Sequence, residues 1–253
     1  MTSTQTTKST FTTRTNPALV AAAAATTSGI KYRILYLKLH GMAATTRAML
    51  AISGVEWESV YPTDWAAEKK QVPMGVMPVL YEVHQASGFT LEIPESEAIE
   101  RYLARKYSML GQDLWEETVI NVFYSSSNAV MANYVNKVLL AFPDTKAREL
   151  EKFVAKEVPA WIEQHEKWLG KNGLNGHYVG DQLSMADIRS VICLDRYMTL
   201  PECKDQFSEE KTPGLFKLKS TLEQNERYWG WIHSDEFEAI NVSTRQRLAV
   251  LSG

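Results

Sequence analysis

Two stretches carry the residues best placed to do chemistry: Pro73-Met74-Gly75-Val76-Met77-Pro78-Val79-Leu80, and further on Glu95-Ser96-Glu97-Ala98-Ile99-Glu100-Arg101-Tyr102-Leu103. Proline has no N–H for a strand ladder, so Pro78 belongs either at the first residue of the Val-Leu-Tyr strand, in the ordinary trans form, or on a cis turn. On a cis turn it would hold the backbone of Met77 open to a ligand. Glu95-Ser96 opens a helix. There, unpaired amides and the positive end of the helix dipole draw a carboxylate, although a plain helix N-terminus accounts for the same pair.

Other chemistries find no footing. The five histidines, His40, His84, His165, His177 and His233, include no pair at the i, i+4 spacing that turns two imidazoles toward one metal. Cys193 and Cys203 are too few for a disulfide framework and form no Cys-x-x-Cys, so a reducing compartment is the simpler expectation. No Gly-rich phosphate loop and no Gly-x-Ser-x-Gly elbow is present. A net charge of -3 without a Lys/Arg-dense block argues against a nucleic-acid surface. No run approaches the roughly 20 apolar residues that span a bilayer.

The elements that must position these residues fall into three parts. Residues 1–29 form a Thr/Ser-rich tail with Lys8, Arg14, no acid and a run of alanines from Ala21 to Ala25. The tail reads as flexible. Its composition also fits an organellar import segment, and the alanines could become a helix when docked. Residues 30–109 then read as strand 32–37, helix 43–53 closing at Gly54, strand 56–61, a hairpin of 79–83 and 89–93 around Gln85-Ala86-Ser87-Gly88, and helix 96–107. That order, βαβ then ββα, is thioredoxin-like. Residues 110–253 read as all-helical, with long helices at 113–141, 145–170, 184–200 and 213–229. Phe142-Pro143-Asp144 separates the first two, with Asp144 suited to an N-cap. Ser184 and Asp187 can cap one another at a helix start, which makes them folding residues.

Together these motifs resemble the tyrosine-type glutathione transferases, sigma class most closely, over residues 31–200. The resemblance implies that the hydroxyl of Tyr36, with Gly41 five residues on at the helix entrance, hydrogen-bonds the sulfur of glutathione and favours its thiolate. It implies that Met77, before Pro78, meets the cysteinyl residue in strand-like fashion and that Ser96 meets the γ-glutamyl carboxylate. Glu95, where many relatives have Gln, could pair with the ligand's ammonium, and Trp65 and Lys69 would donate to its glycine carboxylate. Asn121 stands where the family has an Asp that reaches across a dimer to the ammonium. Tyr124, Ser127, Asn128 and Met131 are candidates for an apolar electrophile by helical spacing, and Trp229 and Trp231 for covering the site's mouth.

This chain departs from the family at three positions: Met42 replaces an Arg that helps tune the tyrosine, Val76 replaces a Gln, and Asn121 keeps an amide where the family has a charge. The expectation is a homodimeric, cytoplasmic enzyme that uses glutathione as cosubstrate, needs no metal, and conjugates or reduces an electrophilic small molecule. The nearest variant is a glutathione-dependent isomerase. A rival from another class is a non-catalytic crystallin-like or elongation-factor-like interaction module on the same fold.

Overall fold

A computed structural model describes residues 9–14, 16–25 and 29–252. The beginning of the tail, with Lys8, lies outside the described residues, as does Gly253. The chain forms two compact units, one through Tyr107 and one from Ser108.

The first unit is a mixed five-stranded sheet in the order β1-β5-β4-β2-β3, with β1 Ser9–Thr10, β2 Ile30–Leu35, β3 Glu56–Val60, β4 Val79–His84 and β5 Phe89–Pro94. β2 runs parallel to β3 and antiparallel to β4, and β5 is antiparallel to β4 and parallel to β1. The order βαβ-ββα is therefore present, with one short edge strand added by the tail. Pro17 begins helix α1 (Pro17–Ala24), capped by Asn16, whose side chain accepts from the Leu19 amide at 3.0 Å. The alanine run thus forms the helix that its propensity allows.

Helices α2 (Ala44–Ser53) and α4 (Ser96–Lys106) pack on each other and on the sheet, and Met49, Leu50, Ile99 and Leu103 of the helices are buried, as are Ile34 and Leu80 of the strands. α2 ends at Gly54 in the left-handed conformation. Among these apolar side chains Glu82 is fully buried. Its carboxylate accepts from Lys106 Nζ at 2.6 Å and Tyr102 Oη at 2.7 Å, and contacts His84 Nε2 at 2.9 Å. A buried charge persists only when paired and hydrogen-bonded in this way. Between β3 and β4 the chain makes a single short helix, α3 (Trp65–Glu68), and two 3-10 turns, Lys69–Gln71 and Pro73–Gly75.

The second unit is all helical. α5 (Leu114–Asn133) starts at Asp113, whose carboxylate accepts from the Trp115 and Glu116 amides. It continues into a π-helical stretch, Tyr134–Leu139. Next come α6 (Pro143–Lys152), a second π stretch Phe153–Glu157, and α7 (Val158–Lys171). The helix expected over 145–170 is thus widened in its middle, next to Pro159, which has no N–H to give to the preceding turn. Pro143 is the first residue of α6 and Asp144 lies in its first turn, so the boundary cap is Phe142 and makes no side-chain bond. α8 (Met185–Met198) carries the reciprocal capping box of Ser184 and Asp187. The helix expected over 213–229 breaks in two, α9 (Pro213–Glu223) and α10 (Glu226–Ile232), because Asn225 caps the second through the Arg227 and Tyr228 amides. A last helix, α11 (Asp235–Ser252), follows and was not expected from the sequence.

The core of this unit holds polar contacts too. Ser127 Oγ meets Ser190 Oγ at 2.8 Å and accepts from Trp161 Nε1 at 3.2 Å. His165, buried among Phe123, Trp161 and Tyr178, lies 2.5 Å from Tyr178 Oη and 3.1 Å from Ser126 Oγ. Burial pushes its imidazole pKa down to about 3.

Candidate functional site

Strand register explains which candidate residues meet. Leu35 pairs with Val79, and Val79 with Pro94. Tyr36, Pro78 and Glu95, each one residue beyond those partners, therefore lie together at one end of the sheet. Tyr36 continues the line of β2 by donating its amide to Val60 O at 3.1 Å.

The phenol of Tyr36 is held from two sides. Its Oη accepts from the Met42 amide at 3.1 Å, and the Cζ of Arg47 stands 5.9 Å from its ring centroid. Gly41 permits the first of these contacts. It has φ +40°, and a Cβ there would fall 2.6 Å from Tyr36 Oη. With the amide occupying a lone pair, the single hydroxyl hydrogen is left to point at an acceptor.

Beside Tyr36 the Met77–Pro78 peptide bond is cis, and Pro78 is buried at the start of β4. Glu95 is exposed with φ +70° and ψ 119°, a conformation costing a non-glycine residue about 1–3 kcal/mol. Such strain survives where the surroundings require it, as at ligand clamps. Its carbonyl still accepts from the Ile99 amide at 2.9 Å, so α4 begins directly after it with Ser96, which is buried. This end of α4 offers unpaired-amide geometry to an anion.

Trp65 and Lys69 stand on the connection between β3 and β4. Trp65 is half-buried at the start of α3 and Lys69 is exposed one residue past its end. Asp64 caps α3 by accepting from the Ala67 amide, while Glu68 reaches back to the Thr63 and Asp64 amides at 2.9 Å each. Those bonds, the Asp64 amide foremost, hold the Glu68 carboxyl below the usual range. The next 3-10 turn, with Met74 at φ +62° and Gly75 at φ +62°, leads to Pro78.

The remaining candidates are on α5. Asn121 is half-buried, with its amide donating back to Glu117 O at 2.8 Å. Tyr124, Ser127, Asn128 and Met131 are buried on the inward side of the helix. Ser127 is engaged by Ser190 and Trp161, whereas the side-chain atoms of Asn128 find no hydrogen-bond partner among the described residues. Trp231 packs edge-on against Phe237, and the half-exposed Trp229 lies tilted against His233 with ring centroids 3.9 Å apart.

Comparison with known proteins finds relatives of this chain in sequence and in fold. Residues 130–235 match the family described as glutathione S-transferase, C-terminal domain. Glutathione S-transferase 2 of Onchocerca volvulus is 28% identical over 183 residues, covering 70% of this chain and 83% of the relative. The chain is similar to glutathione transferases in sequence and in fold. The hematopoietic prostaglandin D synthase of Gallus gallus is 24% identical, over 83% of this chain and 98% of that protein. The sigma class transferase structure of Fasciola hepatica superposes with a TM-score of 0.69 over 81% of this chain and 96% of its own, at 22% identity, which speaks to the fold.

One feature of the chain was passed over by sequence reasoning. Arg47 lies within α2 directly before the apolar run Ala48-Met49-Leu50-Ala51-Ile52, and it is 0% exposed. A charged residue at a core position of an amphipathic helix was the available signal. The strained backbone of Glu95 had no signal at all, since glutamate carries no preference for positive φ. Met42 takes part through its backbone and so without regard to its side chain.

Proposed function

We propose that this chain is a glutathione transferase in which Tyr36 donates its hydroxyl hydrogen to the glutathione sulfur. The thiol loses its proton to solvent. The resulting thiolate attacks an electrophilic carbon, forming a C–S bond, and the electron pair leaves with the displaced group or moves onto a conjugated acceptor that water then protonates. The observation that carries this reading is the Met42 amide at 3.1 Å from Tyr36 Oη, at the sheet end that also holds Pro78 and Glu95. In this reading Met77 offers backbone groups to the cysteinyl residue, Ser96 and the start of α4 take the γ-glutamyl carboxylate, and Glu95 takes the ammonium. Trp65 and Lys69 take the glycine carboxylate. Tyr124, Asn128 and Met131 are assigned to the apolar second substrate, with Ser127 fixing their helix.

A homodimer fits the same reading. α5 leaves Leu114 80% and Val122 59% exposed, with Thr118 and Ser125 on the same stripe, a face suited to a second copy. Asn121 adjoins that stripe. Among the described residues no helix is long and apolar enough to cross a membrane, and no cluster of three His, Cys, Asp or Glu could hold a metal. A cytoplasmic location is part of the proposal.

A second reading, a glutathione-dependent isomerase, is supported by the likeness to the Gallus gallus prostaglandin D synthase along nearly all of that protein. It uses the same thiolate. The test is calorimetric titration of glutathione combined with a conjugation assay on a generic aryl electrophile, for wild type and Tyr36→Phe. Removing one hydrogen bond to a charged sulfur should lower turnover by about 10- to 100-fold with glutathione affinity kept. Equal loss of both would mean that Tyr36 positions the ligand or the fold instead.

A further inference from the structure

Arg47 is buried in α2, and a guanidinium in such a place needs acceptors for its donors. Nη1 donates to Leu39 O at 2.6 Å, Nη2 to Leu37 O at 3.3 Å and Nε to Ser59 Oγ at 3.2 Å. Both carbonyls belong to the loop that leaves Tyr36. That loop doubles back on itself, the Leu39 amide donating to Leu37 O at 2.7 Å, and arrives at Gly41 and Met42, where the Met42 amide reaches Tyr36 Oη. The same guanidinium lies 5.9 Å from the Tyr36 ring centroid. One side chain therefore ties down the loop and brings a positive charge next to the ring.

We propose that Arg47 is a positioning residue for the sulfur site, holding loop 37–39 so that the Met42 amide meets Tyr36 and lending its buried charge to the thiolate of bound glutathione. This rests on the reading of Tyr36 as the donor to sulfur. Met42 brings no charge of its own, and Lys38 of the same loop is drawn to the Tyr61 ring, 6.0 Å from its centroid, so the charge beside the Tyr36 ring is that of Arg47, added to the positive end of α4. A charge buried this way is screened little by salt, and its field favours the ionised form of a nearby thiol. The guanidinium fork suits two carbonyls at once, which an ammonium on a flexible stem does not.

The test is a pH titration of the thiolate ultraviolet absorbance in the protein–glutathione complex, with kcat/KM and urea unfolding alongside, for wild type, Arg47→Lys and Arg47→Gln. Arg47→Gln should raise the thiol midpoint by about one pH unit while the Kd for glutathione stays within about threefold. Arg47→Lys should keep the midpoint within about 0.3 unit and lose turnover several-fold, since charge is retained and the double clamp is not. A Gln variant that is less stable but titrates like wild type would overturn the proposal and leave Arg47 a packing residue. Should the Gln variant not fold, the Lys variant decides, because a full-unit rise with the charge retained sinks the electrostatic role. A wild-type complex whose thiol titrates at the same pH as free glutathione would bring down the reading of Tyr36 together with this one, which separates the two failures.

Discussion

Gly41 and Tyr36 approach so closely that a Cβ on residue 41 would sit 2.6 Å from the tyrosine hydroxyl oxygen. Gly41→Ala must therefore displace the phenol and also adopt a left-handed backbone at φ +40°. The strain costs about 1–2 kcal/mol. Turnover should fall by about tenfold or more, beyond what the lost stability explains, as a hydrogen bond made to charge in the transition state is misaimed. Urea unfolding and steady-state kinetics on one preparation check both. Unchanged kcat would show that residue 41 does not set the position of the hydroxyl.

Glu95 joins a strained backbone to a proposed ligand contact, so stability and binding should move in opposite directions. Glu95→Gly relieves a positive φ that glycine adopts freely, raising stability by up to about 1–3 kcal/mol, less the added chain entropy of glycine. The same change removes the carboxylate assigned to the ligand's ammonium. Glutathione affinity should drop by about tenfold, corresponding to a charge-assisted bond. Calorimetry showing wild-type affinity would remove Glu95 from the site.

Asp187 satisfies several donors at once: the Ser184 amide at 2.8 Å, the Ser184 hydroxyl at 2.9 Å and the Tyr178 amide at 3.0 Å. Asp187→Ala leaves buried N–H groups without an acceptor and opens the capping box of α8. The expected loss is about 3 kcal/mol or more, against about 1 kcal/mol for Ser184→Ala. Chemical denaturation of the two variants gives the comparison, and equal losses would argue against the buried-amide explanation.

His165 supplies a pH signature. Its pKa falls from 6.5 to about 3 on folding, so between those values the unfolded chain binds a proton that the native chain refuses. Stability contributed by the neutral imidazole is whole above pH 6.5 and declines as the pH drops, by about 1.4 kcal/mol per unit. His165→Gln lacks this term. The stability gap between wild type and variant should narrow as pH is lowered from 6.5 toward 4, measured by urea unfolding at each pH. A constant gap would mean that His165 titrates normally.

Much of the first unit was legible because its signals are local. A proline before Val79 marks a strand start and Gly54 ends a helix; in the second unit Ser184 with Asp187 likewise forms a cap from neighbours three residues apart. Helix existence was also legible, but not helix extent. Pro159 widens a helix rather than ending it, and Asn225 ends one as a cap, and in both cases neighbouring turns decide which outcome holds. The tail's short pairing with β5 could not be read at all, since two residues at a sheet edge carry no pattern.

The sequence by itself determined which residues could take part: Tyr36, Pro78, Glu95 and Ser96 are picked out by their own chemistry and that of adjacent residues. Only the tertiary structure decided that they meet. Strand register aligns Leu35, Val79 and Pro94, and the closure of loop 37–41 puts the Met42 amide on Tyr36 with Arg47 beneath the ring. Register and loop closure depend on contacts between residues distant in the chain, and a periodicity read along one strand or one helix contains no term for them.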